Sequence, residues 1–148
     1  MILLNKNYKI LKNLIEFSTL PFRVRYAETD QMGFAHHSNY LKYFEMARIE
    51  WLNTIGFSYK KLEEDGIVMP VVATNLKFKT PAFFDDLLVV HLTLNELPRA
   101  RVVFSYLITN ELQKEVASGS TCLAFLNTKN NRPVRCPDTL MEVIQKLL

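Results

Sequence analysis

From Asn39 to Ile55 apolar residues return every three or four positions. Tyr40, Phe44, Ala47, Trp51 and Ile55 fall on one stripe, which predicts a single helix with one packed face. Ser38 or Asn39 fits its N-cap and Gly56 its stop. Upstream, Phe22, Val24 and Tyr26 alternate with Arg23 and Arg25, which predicts a strand over residues 21–27 with one buried face. Residues 58–65 read as a short second helix ending at Gly66. Beyond it the period changes to alternation, giving candidate strands Ile67–Lys79, Leu87–Asn95, Arg99–Thr109 and Val116–Asn127. The short connections between the last three favour an antiparallel meander. Residues 136–148 read as a C-terminal helix with Leu140, Val143, Ile144 and Leu147 inward. One long helix against about five antiparallel strands is an α+β layer arrangement. Its long sheet edges predict pairing with a second copy.

The first residues have a different texture. Tyr8, Leu11, Leu14 and Ile15 sit at helical spacing between Lys6, Lys9 and Lys12. The stretch has no uninterrupted apolar core and no small-residue cleavage site, so it reads as neither a signal peptide nor a membrane span. Residues 1–19 are therefore taken as an N-terminal extension, a helix or other segment docking on its own protein, and residues 20–148 as one domain. A basic amphipathic helix on a membrane surface is the other reading.

Composition narrows the picture without deciding function. The chain has 148 residues, 49% of them hydrophobic and 22% charged, which suits one ordinary globular domain. A net charge of +3 without basic blocks argues against nucleic acid as partner, yet would suit an anionic small ligand. Cys122 and Cys136 form no CxxC pair, and a reducing cytoplasm is the simpler location.

Candidate chemistry concentrates in residues 26–40, YAETDQMGFAHHSNY. No GxSxG elbow, phosphate loop or GxGxxG occurs among the four glycines. His36 and His37 are adjacent and diverge in an extended backbone, and no cysteine cluster supplies further ligands, so no metal is expected. What remains is a carboxylate beside a helix start. Asp30 lies seven residues before His37, with Gly33 between them to let the loop turn back. The first N–H groups of the helix lack partners within it and could stabilise an oxyanion formed from a carbonyl. A carboxylate near that point could attack the carbonyl or take a proton from attacking water. The residues alone leave blander readings open. Asp30 would equally serve as a turn or capping residue, and His37 as a partly buried, hydrogen-bonded histidine. Glu28 is read as facing solvent.

The segment RVRYAETDQMGFAHHSNYLKYFEMARIEWL resembles the opening of hotdog-fold acyl-CoA thioesterases of the 4-hydroxybenzoyl-CoA thioesterase type. The pattern is a strand, then T-D-x-x-G-x-x-x-H-x-x-Y, then a helix carrying E-x-A-R. Thr29, Asp30, Gly33, His37, Tyr40, Glu45, Ala47 and Arg48 match it. GIVMPVVATNLKFKTPAFFDDLLVV is similar to the family's second strand, turn and third strand, so the resemblance spans residues 20–140.

It implies a long helix wrapped by an antiparallel sheet, a dimer or tetramer with sites at the subunit interface, and hydrolysis of an acyl-CoA without any cofactor. Carried over, Asp30 is the catalytic nucleophile or general base. His37 falls where the helix-start N–H polarises the thioester carbonyl. Gly33, Tyr40 and Glu45 are secondary candidates. Glu45 and Arg48 read first as a structural ion pair, with Glu45 the reserve catalytic acid, since some members place the acid on this helix.

Lys77, Lys79, Arg99, Arg101 and Arg132 form a pool for CoA phosphates, and Phe34, Tyr43, Phe44 and Phe57 could line an acyl pocket. The H-F-P-x-x-P-x-x-P-G pattern of hotdog dehydratases is absent. An acyl carrier protein in place of CoA, or a non-catalytic acyl-CoA-binding module, are the alternatives.

Overall fold

The structure is a computed structural model in which residues 9–11 and 14–148 are described. In chain order the elements are β1 (Lys9–Leu11), β2 (Leu14–Ser18), β3 (Phe22–Arg23), a 3₁₀ turn at Tyr26–Glu28, α1 (Asn39–Thr54), α2 (Tyr59–Glu64) and β4 (Ile67–Val68). There follow β5 (Val71–Phe78), β6 (Leu87–Leu94), β7 (Arg101–Asn110), β8 (Glu115–Ala124), β9 (Leu126–Asn127) and α3 (Asp138–Gln145). The main sheet runs β1-β2-β6-β7-β8-β5 with β3 also on β6, and every pairing in it is antiparallel.

The sheet curls around α1. Strand alternation turns Leu88, Val90, Leu92 and Leu94 of β6, with Phe104, Tyr106 and Ile108, toward the helix, and all are buried. From the helix, Phe44 stacks on Tyr106 with ring centroids 4.1 Å apart, and Trp51 meets Phe104 edge-on at 5.5 Å. Gly119 of β8 lies under Phe44 because a β-carbon there would run into the Asn75 carbonyl of β5 and sit 3.0 Å from the Phe44 ring. Arg48 is the charge inside this core. Its guanidinium donates to the Tyr106 hydroxyl (3.1 Å) and the Thr121 hydroxyl (3.4 Å), while Glu45 stands 4.0 Å away and is largely exposed.

Several expectations change. The strand predicted over residues 21–27 ends after Arg23. Val24 is buried, but the chain then coils into the 3₁₀ turn, leaving Tyr26 exposed and Glu28 buried. The predicted strand Ile67–Lys79 is two, divided at Met69–Pro70, because proline has no N–H for the ladder. Likewise Val116–Asn127 breaks at Phe125, and β9 turns away to pair with β4. The helical spacing near the N-terminus is misleading. Residues 9–11 and 14–18 are strands, with Ile15 and Phe17 buried against the core and Phe17 opposite Leu92. Tyr8, Lys6 and Lys12 lie outside the described residues. The C-terminal helix matches its expected inner face, with Leu140 and Ile144 buried.

Candidate active site

The loop before α1 is a tight hairpin held at both ends. Thr29 bridges Ala35, the Asp30 N–H donates to the Phe34 carbonyl (3.0 Å), and the Gly33 N–H donates to the Asp30 carbonyl (2.9 Å). Gly33 has φ +88°, a left-handed conformation that a side chain would strain. The far strand of the hairpin is tied down in turn, the Ala35 N–H donating to the Ala82 carbonyl at 2.7 Å and Phe34 bridging Phe83. Asp30 is half-buried at the turn. Its Oδ1 accepts the Met32 N–H at 2.8 Å, and among the described residues Oδ2 has no hydrogen-bond partner.

The helix entrance sits against this hairpin. Its donors are almost all engaged locally: the Asn39 N–H donates to the His36 carbonyl (3.0 Å), the Tyr40 N–H to the His37 carbonyl (3.4 Å), and the Ser38 N–H to His36 Nδ1 (3.2 Å). The His37 N–H has no acceptor among the described residues. Ser38 occupies the N-cap position, but its hydroxyl lies 2.8 Å from His36 Nδ1 instead of capping the helix. His36, left without a task by its sequence context, thus orders the turn, and its ring lies 4.1 Å from that of exposed His37.

One cavity of about 440 Å³ gathers Asp30, His37 and Tyr40 with Phe34, Phe78 and Lys79. Tyr40 is buried, and burial raises its phenol above its ordinary range. A hydrogen bond with the Ala82 backbone pulls it back, and the nearby Asp30 charge raises it again. Tyr40 therefore stays neutral beside the carboxylate. Glu45 is not part of this cavity. With Arg48, Tyr59 and Met69 it lines a separate one of about 390 Å³. Of the basic pool, Lys79 reaches the Asp30 cavity and also pairs with Glu115 at 3.6 Å, whereas Arg99 lines cavities with residues such as Leu148 and Cys136. Of the aromatic residues considered for a pocket, Phe34 lines the cavity, but Tyr43 and Phe44 are core and Phe57 packs against it.

Two residues depart from the sequence reading, which places Glu28 in solvent and offers Asn39 only as an N-cap alternative. Glu28 is 6% exposed, with its carboxylate on the Arg25 N–H (2.8 Å) and the Arg25 guanidinium (3.1 Å). Asn39, also 6% exposed, donates its side-chain N–H to the Glu28 carbonyl at 2.8 Å. The available signal was the i, i+3 spacing of Arg25 and Glu28, which the strand reading obscured.

A curled antiparallel sheet around one long helix, with a carboxylate hairpin at the helix entrance, is the arrangement of the hotdog thioesterases. Residues 24–144 match the Thioesterase-like superfamily, and the chain belongs to it, a thioester hydrolase of the hotdog fold. It is 31% identical over 121 residues to the acyl-CoA thioesterase YbgC of Haemophilus influenzae, covering 80% of this chain and 88% of the relative. The solved DHNA-CoA thioesterase of Staphylococcus aureus is 32% identical, with a TM-score of 0.83 over 89% of this chain and 90% of that one. A solved structure from Aquifex aeolicus is 38% identical, with a TM-score of 0.80 over 86% and 98% of the two chains.

Proposed function

We propose that the protein hydrolyses an acyl-CoA to a free carboxylic acid and CoA, with Asp30 acting on the thioester carbonyl and the His37 N–H receiving the oxyanion. The supporting observation is the shared cavity in which Asp30 keeps one carboxylate oxygen uncommitted and the His37 N–H remains available. Asp30 removes a proton from the water that adds to the carbonyl carbon, or adds to it directly to form a mixed anhydride that water then hydrolyses to the free acid and the Asp30 carboxylate. The carbonyl oxygen takes up negative charge against the N–H, the C–S bond breaks, and the thiolate leaves to be protonated. Tyr40, neutral and buried, walls the carboxylate, and Gly33 allows the turn that presents it. Glu45 stands apart from this chemistry, and its place beside Arg48 fits a structural ion pair.

The acyl group we favour is aromatic. Phe34, Tyr40 and Phe78 give the cavity flat apolar walls, Tyr40 and Phe78 meeting edge-on at 5.2 Å, and the similar enzyme from Staphylococcus aureus acts on DHNA-CoA. Lys79 at the cavity is the member of the basic pool placed to meet an anionic group of the substrate. The working unit is a homodimer built along β5, and a cytoplasmic location fits the two free cysteines. No helix among the described residues is long and apolar enough to cross a membrane.

The test is thiol release by purified protein from matched aliphatic and aromatic acyl-CoA substrates. The reading predicts turnover, with higher kcat/KM for aromatic acyl groups. Release only from acyl carrier protein thioesters, or from nothing, contradicts it.

A further inference from the structure

The proposed chemistry needs the Asp30 carboxylate and the His37 N–H at a fixed separation, yet they belong to different elements. Asp30 is in the hairpin that follows the 3₁₀ turn, and His37 is in the turn that enters α1. One antiparallel bridge, Thr29 with Ala35, joins their segments through the Asp30 N–H to the Phe34 carbonyl and the His36 N–H to the Glu28 carbonyl. The Glu28 carbonyl takes a further bond from the helix start. The Glu28 main-chain oxygen accepts the His36 N–H at 2.8 Å and the Asn39 side-chain N–H at 2.8 Å. Two residues before Asp30, this carbonyl thus holds both the residue before His37 and the first residue of α1. The carbonyl is itself anchored, since the Glu28 carboxylate is bound by the Arg25 N–H and guanidinium and its own N–H donates to the Arg25 carbonyl at 2.9 Å.

The His36 bond is a main-chain bond that any residue except proline makes. The Asn39 bond depends on its side chain. Asn39 is buried, where an amide without partners would be costly, and at the first helical position its own N–H is already spent on His36. The Asn39 side-chain amide thus bonds the segment that leads into Asp30 rather than its own helix.

Resting on the Asp30 and His37 reading, we infer that Asn39 is a positioning residue that fixes the oxyanion donor relative to the carboxylate. It touches neither substrate nor reacting atoms. It acts by tying the start of α1 to the segment that carries Asp30. Displacement of reacting groups by about 1 Å can cost on the order of 10²-fold in rate. Loss of the Asn39 bond should therefore appear in kcat and leave ground-state binding of the acyl-CoA largely untouched.

The experiment compares the full chain with Asn39→Ala, with Ile144→Val as a control that loosens the core at α3 far from the loop. Steady-state kinetics are read on one acyl-CoA substrate, and melting temperatures are measured alongside. In the folded Asn39→Ala protein kcat should fall by about 10- to 100-fold with KM within about twofold, while Ile144→Val keeps its kcat. Unchanged kcat in folded Asn39→Ala overturns the inference, as does a rise in KM alone or an equal kcat loss in Ile144→Val. Should Asn39→Ala fail to fold, Asn39→Ser is read by the same two constants. Asp30→Asn run in parallel separates the levels. If that variant is inactive while Asn39→Ala retains its kcat, only the positioning role fails. If Asp30→Asn is fully active, the underlying reading fails.

Discussion

Glu28 shows how a single residue can be governed by its neighbours. Burial alone would raise its carboxyl pKa, but the hydrogen bonds from the Arg25 side chain and backbone outweigh burial and hold it below its ordinary value. Across the same gap Tyr43 is pushed the opposite way, by burial first and then by the Glu28 charge. A carboxyl depressed in the folded state contributes stability that is fully present above its unfolded pKa of about 4.3. That contribution is lost as pH falls through the lower, folded-state value. Glu28→Gln should therefore lose on the order of 1 kcal/mol at neutral pH, the partner Arg25 being largely exposed to solvent. Its stability should also decline less steeply than the parent's when urea unfolding is followed from pH 5.5 downward. Parallel acid limbs for the two proteins would show that Glu28 carries no such linkage.

Residue types in the loop were legible in the sequence because their spacing is short and local. Asp30, Gly33, His37 and Tyr40 lie within eleven positions, and the structure brings Asp30, His37 and Tyr40 to one cavity with Gly33 at the turn. Glu28 and Asn39 were not legible. What matters for both is a main-chain carbonyl, and no pattern of side-chain types reports where a carbonyl points. Glu45 was a plausible acid by motif alone. Only the direction of its side chain, toward Arg48 and the second cavity, separates it from Asp30.

At the scale of elements, the long helix, β6 and β7 follow from periodicity, because each has one buried face, whereas β5 is exposed along nearly its whole length. Errors fell where a strand breaks. Pro70 separates β4 from β5, and Phe125 separates β8 from β9, yet all four pieces keep strand-like composition. The N-terminal strands were missed for a related reason. Ile15 and Phe17 alternate inward over only a few residues, too short a run to override the helical spacing of the residues around them. β5 is the element with the clearest unfinished contact. It is hydrogen-bonded on one side to β8, its other edge has no strand among the described residues, and Val71, Val72 and Phe78 are exposed along it. Phe78 also lines the Asp30 cavity, so a second copy on this edge would close that cavity. Light scattering should give twice the mass of the chain. Val72→Asp should shift the protein toward a single-chain mass, with a loss of activity out of proportion to any loss of helix signal. A monomeric parent with full activity would contradict the β5 dimer.

The whole molecule is an antiparallel sheet curled on one helix, and its layer class is readable in the sequence. The overall order of long helix, meander and C-terminal helix follows from apolar periodicity, and the family resemblance supplied how the sheet wraps. The sheet's extension by β1 and β2, and the small β4–β9 pair, are consequences of tertiary pairing that local patterns do not encode. Within this frame the proposed site lies at the junction of hairpin, helix start and the β5 edge, the placement from which we propose that a backbone donor and a carboxylate address one carbonyl.

The measurement that bears most directly on this account is kcat for thiol release by Asp30→Asn, on an acyl-CoA that the parent hydrolyses and with folding verified by circular dichroism. Removal of the carboxylate's charge and basicity at constant shape should lower kcat by at least about 10³-fold. An Asp30→Asn protein that turns over at the parental rate would contradict the assignment of the thioester chemistry to this loop.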